Sequence, residues 1–193
     1  MNHTPQIKRA IQFAAKKHHG QMRRETEPLP YVTHLFSVAL LVAEACADDD
    51  VVIAALLHDT LEDTETTANE IEKQFGLTVR TLVEAVSETT HDAQGKRLPW
   101  RERKEGYFKK LETAPSDALV IMAADKVDNI ESKITAFEIE GPTLLKRWPR
   151  PVSEYLWYHA TALNLARKRI PAHPLTKRLA EVHARERKVF TGK

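Results

Sequence analysis

The sequence predicts an all-α fold, and three observations carry that expectation. Apolar residues recur at helical spacing through most of the chain, only six of the 193 residues are glycine, and alternating runs of the kind that make strands are few. A chain of 193 residues buries a full core on its own, so one domain over 1–193 is expected, with its core at about 5–168 and a helical tail at 169–193.

The elements follow in order. Pro5 to about His19 reads as a first helix, because Thr4 offers an N-cap ahead of Pro5 and Ile7, Ile11, Ala14 and Ala15 share a face. Gln21 to Pro30 reads as a polar loop. From Tyr31 the segment HLFSVALLVAEAC is apolar on most faces, which predicts a central helix carrying His34 in its first turn. Asp48 to Asp50 break the pattern, and a helix over Val51 to Leu61 is expected next. Thr67 and Glu70 have the spacing of a capping box ahead of Ile71 and Phe75, with Gly76 as the stop. Thr78 to Val86 predicts a further helix, and Ser87 to Pro99 a long exposed loop. Trp100 to Leu111 is a charged amphipathic helix, and Asp117 to about Ile134 a buried one that ends its apolar run in Asp125, Lys126, Asp128 and Asn129. Pro151 to Lys168 and a basic helix in the tail, fraying at its end, complete the list.

Composition narrows the function. Lys and Arg total 29 against 27 Asp and Glu, so a net charge of +2 favours neither nucleic acid nor an anionic membrane surface as partner. Cys46 is the one cysteine, which excludes an intrachain disulfide framework and a cysteine metal cluster. The start MNHTPQIKRA lacks the apolar segment of a secretory signal, and no apolar run is long enough to span a bilayer, so a cytoplasmic protein is expected.

Chemistry concentrates in Ala54 to Thr64, AALLHDTLEDT, where an apolar run delivers His58, Asp59, Glu62 and Asp63. On one continuous helix His58 would stack with Glu62 and Asp59 with Asp63, in neighbouring columns. A histidine and acids at a helix end also describe an ordinary solvated terminus, so partners from elsewhere must decide. His34 near the start of one buried helix, His58 and Asp59 at the end of another and Asp125 at the end of a third apolar run supply two imidazoles and two carboxylates. That donor set suits one divalent metal with open positions for water and a phosphate oxygen, and hydrolysis is the natural chemistry. Asp125, Asn129 and Ser132 would share one helix face, with Lys126 alongside.

Taken together, FAAxxHxGQxxR at Phe13 to Arg24, PYxxHxxxVA at Pro30 to Ala39, AALLHDTxEDT at Ala54 to Thr64 and ADKxxN at Ala124 to Asn129 resemble one family. It is the HD-domain hydrolases, and within them the hydrolase domain of Rel/SpoT proteins, the small alarmone hydrolases and the metazoan SpoT homologue. Similarity continues at Phe75 to Val86, Leu98 to Lys104 and Glu154 to Trp157, and so covers most of residues 5–168.

The resemblance implies an HD-domain helical bundle with one buried metal, usually Mn2+, held by His34, His58, Asp59 and Asp125. It implies that Glu62 and Asp63 are the catalytic acids that activate and orient water against a 3′-pyrophosphate, and that the substrate is a small-molecule nucleotide. Arg23 matches an arginine that stacks on a purine. Arg24 and Lys126 match phosphate contacts, while Asn129, Ser132 and Tyr155 match the nucleoside pocket. Trp100, Met122 and Glu131 stand where small relatives carry cations, which makes Arg101 or Arg103 the expected replacement.

The expected activity is hydrolysis of the 3′-pyrophosphate of (p)ppGpp or (p)ppApp, releasing pyrophosphate, without synthesis. A phosphohydrolase acting on another nucleotide and a non-catalytic nucleotide-sensing module are the alternatives. The sensing module would be expected to lack Glu62 or Asp63, and both are present.

Overall fold

Residues 4–23, 28–46 and 48–192 are described by the structure, a computed structural model. Helix α1 (Pro5–Lys17) opens as predicted, with the Thr4 side chain accepting from the Ile7 amide at 3.3 Å, and it buries Ile7, Ala10, Phe13 and Ala14. The segment read as a loop contains a two-residue antiparallel ladder, β1 (Met22–Arg23) on β2 (Leu29–Pro30). A pairing this short has no period to betray it in sequence.

Helix α2 (Val32–Ala45) packs on α3 (Asp49–Leu56), whose residues from Val51 to Leu56 are all buried. The helix predicted as far as Leu61 instead stops at Leu57, and a separate short helix, α4 (Thr60–Asp63), follows a turn at His58 and Asp59. The cause is local. The His58 ring takes the Ala55 carbonyl at 2.8 Å, the acceptor that a continuing helix would offer to the amide of Asp59. The imidazole thus ends the helix it terminates.

Helices α5 (Ala68–Phe75) and α6 (Leu77–Val86) meet at Gly76, whose φ of 95° is the left-handed side that favours glycine. Thr67 caps α5 by accepting from the Glu70 amide at 3.2 Å. Glu70 does not complete a capping box; its carboxylate pairs with Lys17 of α1 at 2.9 Å, a contact between helices that local spacing does not encode. In the loop before α7 (Trp100–Leu111), His91 and Arg97 form an isolated bridge.

Helix α8 (Ser116–Glu140) runs six residues past its predicted end at Ile134 and forms the axis of the molecule, packing against α2, α3, α6, α9 and α10. Every residue from Ala118 to Asp128 is buried, an apolar helix surrounded on all sides that ends in polar groups. A 3₁₀ segment (Gly141–Arg147) leads to α9 (Val152–Arg169) and then α10 (Pro174–Thr191). Helix α10, expected as a tail, lies along α8 and α9 and buries Leu175, Leu179 and Glu186.

Candidate metal centre

Two helix ends and one helix middle converge. α2 brings His34 in its first turn, the break after α3 brings His58 and Asp59, and α8 brings Asp125. Nitrogen and oxygen atoms of His34, His58 and Asp59 all lie within 4.8 Å of one another and form a group able to hold a metal ion. Asp125 Oδ1 is 3.3 Å from Nε2 of His34 and 3.9 Å from Nε2 of His58. Asp59 Oδ2 is 3.7 Å and 3.2 Å from the same two nitrogens.

Each imidazole is oriented from behind. His34 Nδ1 donates to Asp128 Oδ2 at 2.6 Å and His58 Nδ1 to the Ala55 carbonyl at 2.8 Å, which leaves both Nε2 lone pairs facing the carboxylates. Nε2 of His58 is buried without a hydrogen-bond partner. A buried nitrogen lone pair with nothing to accept from, set beside two carboxylates, is the arrangement that a divalent cation satisfies. The residues therefore fit a metal.

The charges point the same way. Burial opposes ionisation of Asp59, yet His58 and His34 hold its carboxyl below the ordinary range. Burial likewise disfavours a charged His58, but Asp59 and Asp125 lift it to about 9. Tyr31, whose hydroxyl donates to Asp59 Oδ2 at 2.6 Å, and Asp128 were missed in sequence as parts of this site. Their signal was present, in the positions adjoining His34 and Asp125, but only contact distinguishes a supporting group from a surface one.

The centre opens into a cleft of about 260 Å³. Glu62, Asp63, Lys126, Asn129 and Tyr155 line it. Glu62 and Asp63 reach it from a separate turn of helix, and not as columns above His58 and Asp59 on one continuous helix. Glu62 Oε1 accepts the Glu88 amide at 2.7 Å. Burial, then the charge of Asp59, pushes the Glu62 carboxyl from 4.5 up to about 7. Asp63 is raised for the same two reasons. Lys126 touches Asp125 through its ammonium, and the Asn129 amide donates to the same carboxylate.

Other predicted residues sit elsewhere. Arg23 donates to Asp128 at 2.8 Å and Asn129 at 3.0 Å, one residue behind the centre. Arg24 lies outside the described residues. Ser132 is not among the described residues lining the cleft, and Lys133 beside it in sequence is. Neither of the expected replacement cations enters the cleft. Arg101 stacks on Trp157 at 3.2 Å and pairs with Glu105 and Glu154, and Arg103 pairs with Glu88 at 2.8 Å. Lys104 and Lys133 line the cleft instead, because each projects from the inner face of its helix. Trp100 and the buried Met122 also line it, while Glu131 faces Arg178 at 3.5 Å.

With this geometry established, comparison with known proteins is informative. The profile of the HD domain matches residues 10–140. The chain is 42% identical over 132 residues to the guanosine-3′,5′-bis(diphosphate) 3′-pyrophosphohydrolase of Aquifex aeolicus (strain VF5), covering 67% of this chain but 18% of that protein. It is 39% identical over 127 residues to the human guanosine-3′,5′-bis(diphosphate) 3′-pyrophosphohydrolase MESH1, covering 65% of this chain and 68% of that one. A solved structure described as a metazoan ortholog of SpoT that hydrolyzes ppGpp superposes with a TM-score of 0.79 at 26% identity, over 96% of this chain and 97% of the other. By motif, by profile and by the helices that carry its histidines and aspartates, the chain belongs to the HD-domain family.

Proposed function

We propose that this protein hydrolyses the 3′-pyrophosphate of alarmone nucleotides, (p)ppGpp and (p)ppApp, releasing pyrophosphate and leaving a 3′-hydroxyl. One observation carries the reading: the donor atoms of His34, His58 and Asp59, gathered within 4.8 Å beside Asp125, open into the cleft that Glu62 and Asp63 line. The two relatives named as 3′-pyrophosphohydrolases support it. In this reading residues 1–193 act as one HD hydrolase domain, and the lone thiol suits a reducing cytoplasm.

His34, His58, Asp59 and Asp125 would hold one divalent ion, with Mn2+ matched by the mixed nitrogen and oxygen donors. Such an ion, when bound, supplies Lewis acidity to the phosphoryl group and to water. The chain supplies the rest. Glu62, with a carboxyl near 7, is poised to take a proton from the attacking water, and the Glu88 amide fixes which oxygen remains free. Asp63 orients that water. Lys126, Lys104 and Lys133 offer positive charge to the pyrophosphate and 5′-phosphates, and Asn129 and Tyr155 meet the nucleoside. Arg23 offers a planar guanidinium for the purine, with Arg24 beside it in sequence for phosphate.

Product analysis with Mn2+, comparing ppGpp, pppGpp, ppApp and GTP, tests the reading. Pyrophosphate release from the 3′-pyrophosphorylated nucleotides alone is expected. Cleavage of GTP would indicate a broader nucleotide phosphohydrolase, and binding without cleavage of any would indicate a sensor.

A further inference from the structure

The floor of the cleft contains a histidine with a support that hydrolysis does not require. His159 on α9 is only 1% exposed, yet it borders the cleft together with Lys126, Lys133 and Tyr158. Its Nδ1 is 2.6 Å from Oε1 of Glu186, and Oε2 of the same carboxylate is 2.8 Å from Nδ1 of His183. Glu186 is fully buried and reaches across from α10. Burial alone would raise its carboxyl, but the bonds from His159 and His183 hold it below the ordinary range.

An ionised carboxylate only accepts, so the proton of His159 resides on Nδ1. Burial and the nearby cations Lys133 and Lys126 oppose a second proton even against the pull of Glu186. The ring is therefore neutral, and Nε2 is left as a bare acceptor. Lysines in the cleft suit phosphate. A lone pair repels phosphate and suits a hydroxyl or an amine N–H.

We propose that His159, positioned by Glu186 of the C-terminal helix, is a specificity-determining contact for the nucleoside, its Nε2 accepting a hydrogen bond from a donor group of the sugar or base. This rests on the nucleotide hydrolase reading above. Glu186 is then a positioning residue, and α10 belongs to the site without touching substrate.

The test is His159→Asn, which keeps an N–H where Nδ1 stands and removes the acceptor at Nε2. With ppGpp, KM should rise about tenfold, the worth of one hydrogen bond, while kcat stays within about threefold. The penalty should vanish for the analogue lacking the paired donor. That is the 2′-deoxyribose analogue if the sugar hydroxyl is bound, and the inosine or adenosine analogue if a guanine N–H is bound. An unchanged KM, or an equal penalty on every analogue, overturns the proposal. Glu186→Gln should shift KM in the same direction.

A wild-type protein that hydrolyses none of these nucleotides would instead refute the hydrolase reading. The role of His159 is then judged separately by imidazole 15N resonances. Free protein should show Nδ1–H with Nε2 bare, and ppGpp added to the metal-free protein should shift the Nε2 resonance. A resonance that does not move overturns the proposal.

Discussion

Asp59 faces both imidazoles and takes a hydrogen bond from Tyr31, so removing its charge unbalances the whole centre. Asp59→Asn should abolish metal-dependent turnover and leave the purified protein without stoichiometric metal by elemental analysis; full metal content with unchanged activity would refute its role as a ligand. Glu62 behaves differently. It lies beyond the centre, so Glu62→Gln should retain metal while kcat falls by roughly 10²–10⁴. The same variant carries a stability prediction. With its carboxyl raised from 4.5 to about 7, the folded state binds this proton more tightly than the unfolded chain does. That contribution is fully present below pH 4.5 and is lost as pH rises through 7. In chelator, Glu62→Gln should therefore be more stable than the wild type at pH 8, by roughly 1–3 kcal/mol, and equal to it near pH 4.5. Denaturant titrations at the two pH values measure the difference, and a gap that does not change with pH would contradict it. These ionisable residues were legible in the sequence because each interrupts an apolar run. Tyr31, Asp128, Lys104 and Lys133 were not legible as site residues, since nothing in their own segments says which group each will face.

Helix ends set where those residues point. Gly76 ends α5 and starts α6 at φ 95° and ψ 169°, a conformation open to almost no other residue. Nothing crowds the position of an added Cβ, so the cost of Gly76→Ala is backbone strain alone, about 1–3 kcal/mol, visible as a lower Tm with the fold retained. A Tm equal to that of the wild type would show that the joint relaxes. Helix positions were largely readable from caps and periodicity, as Thr4 and Thr67 illustrate. The exception was the most consequential end. The run Leu57-His58-Asp59-Thr60 holds no glycine or proline to mark a stop, and the chain turns where the His58 ring takes the Ala55 carbonyl that the Asp59 amide of a continuing helix would use.

Across the whole molecule, the metal centre joins α2, α8 and the turn after α3, so filling it should brace the bundle. A divalent ion at a hundred times its Kd should add about 2.7 kcal/mol, seen as a Tm that rises with added Mn2+ and falls with chelator. A Tm indifferent to both would exclude a folded-state metal site. Helix α10 is bound to the same core. Leu179 is fully buried, and Leu179→Ala should cost about 2–5 kcal/mol by denaturant titration, where a dispensable tail would lose almost nothing. The sequence by itself determined the all-α class and the order of the helices, and it pointed to the candidate metal ligands and the acidic pair, because burial periodicity and the placing of polar groups after apolar runs are local properties. Only the tertiary structure decided that Arg101 turns outward to Glu154 while Lys104 and Lys133 turn inward, and that Glu186, 27 residues along the chain, supports His159. Those pairings depend on which helix faces which, a long-range outcome of packing that no short window of residues contains.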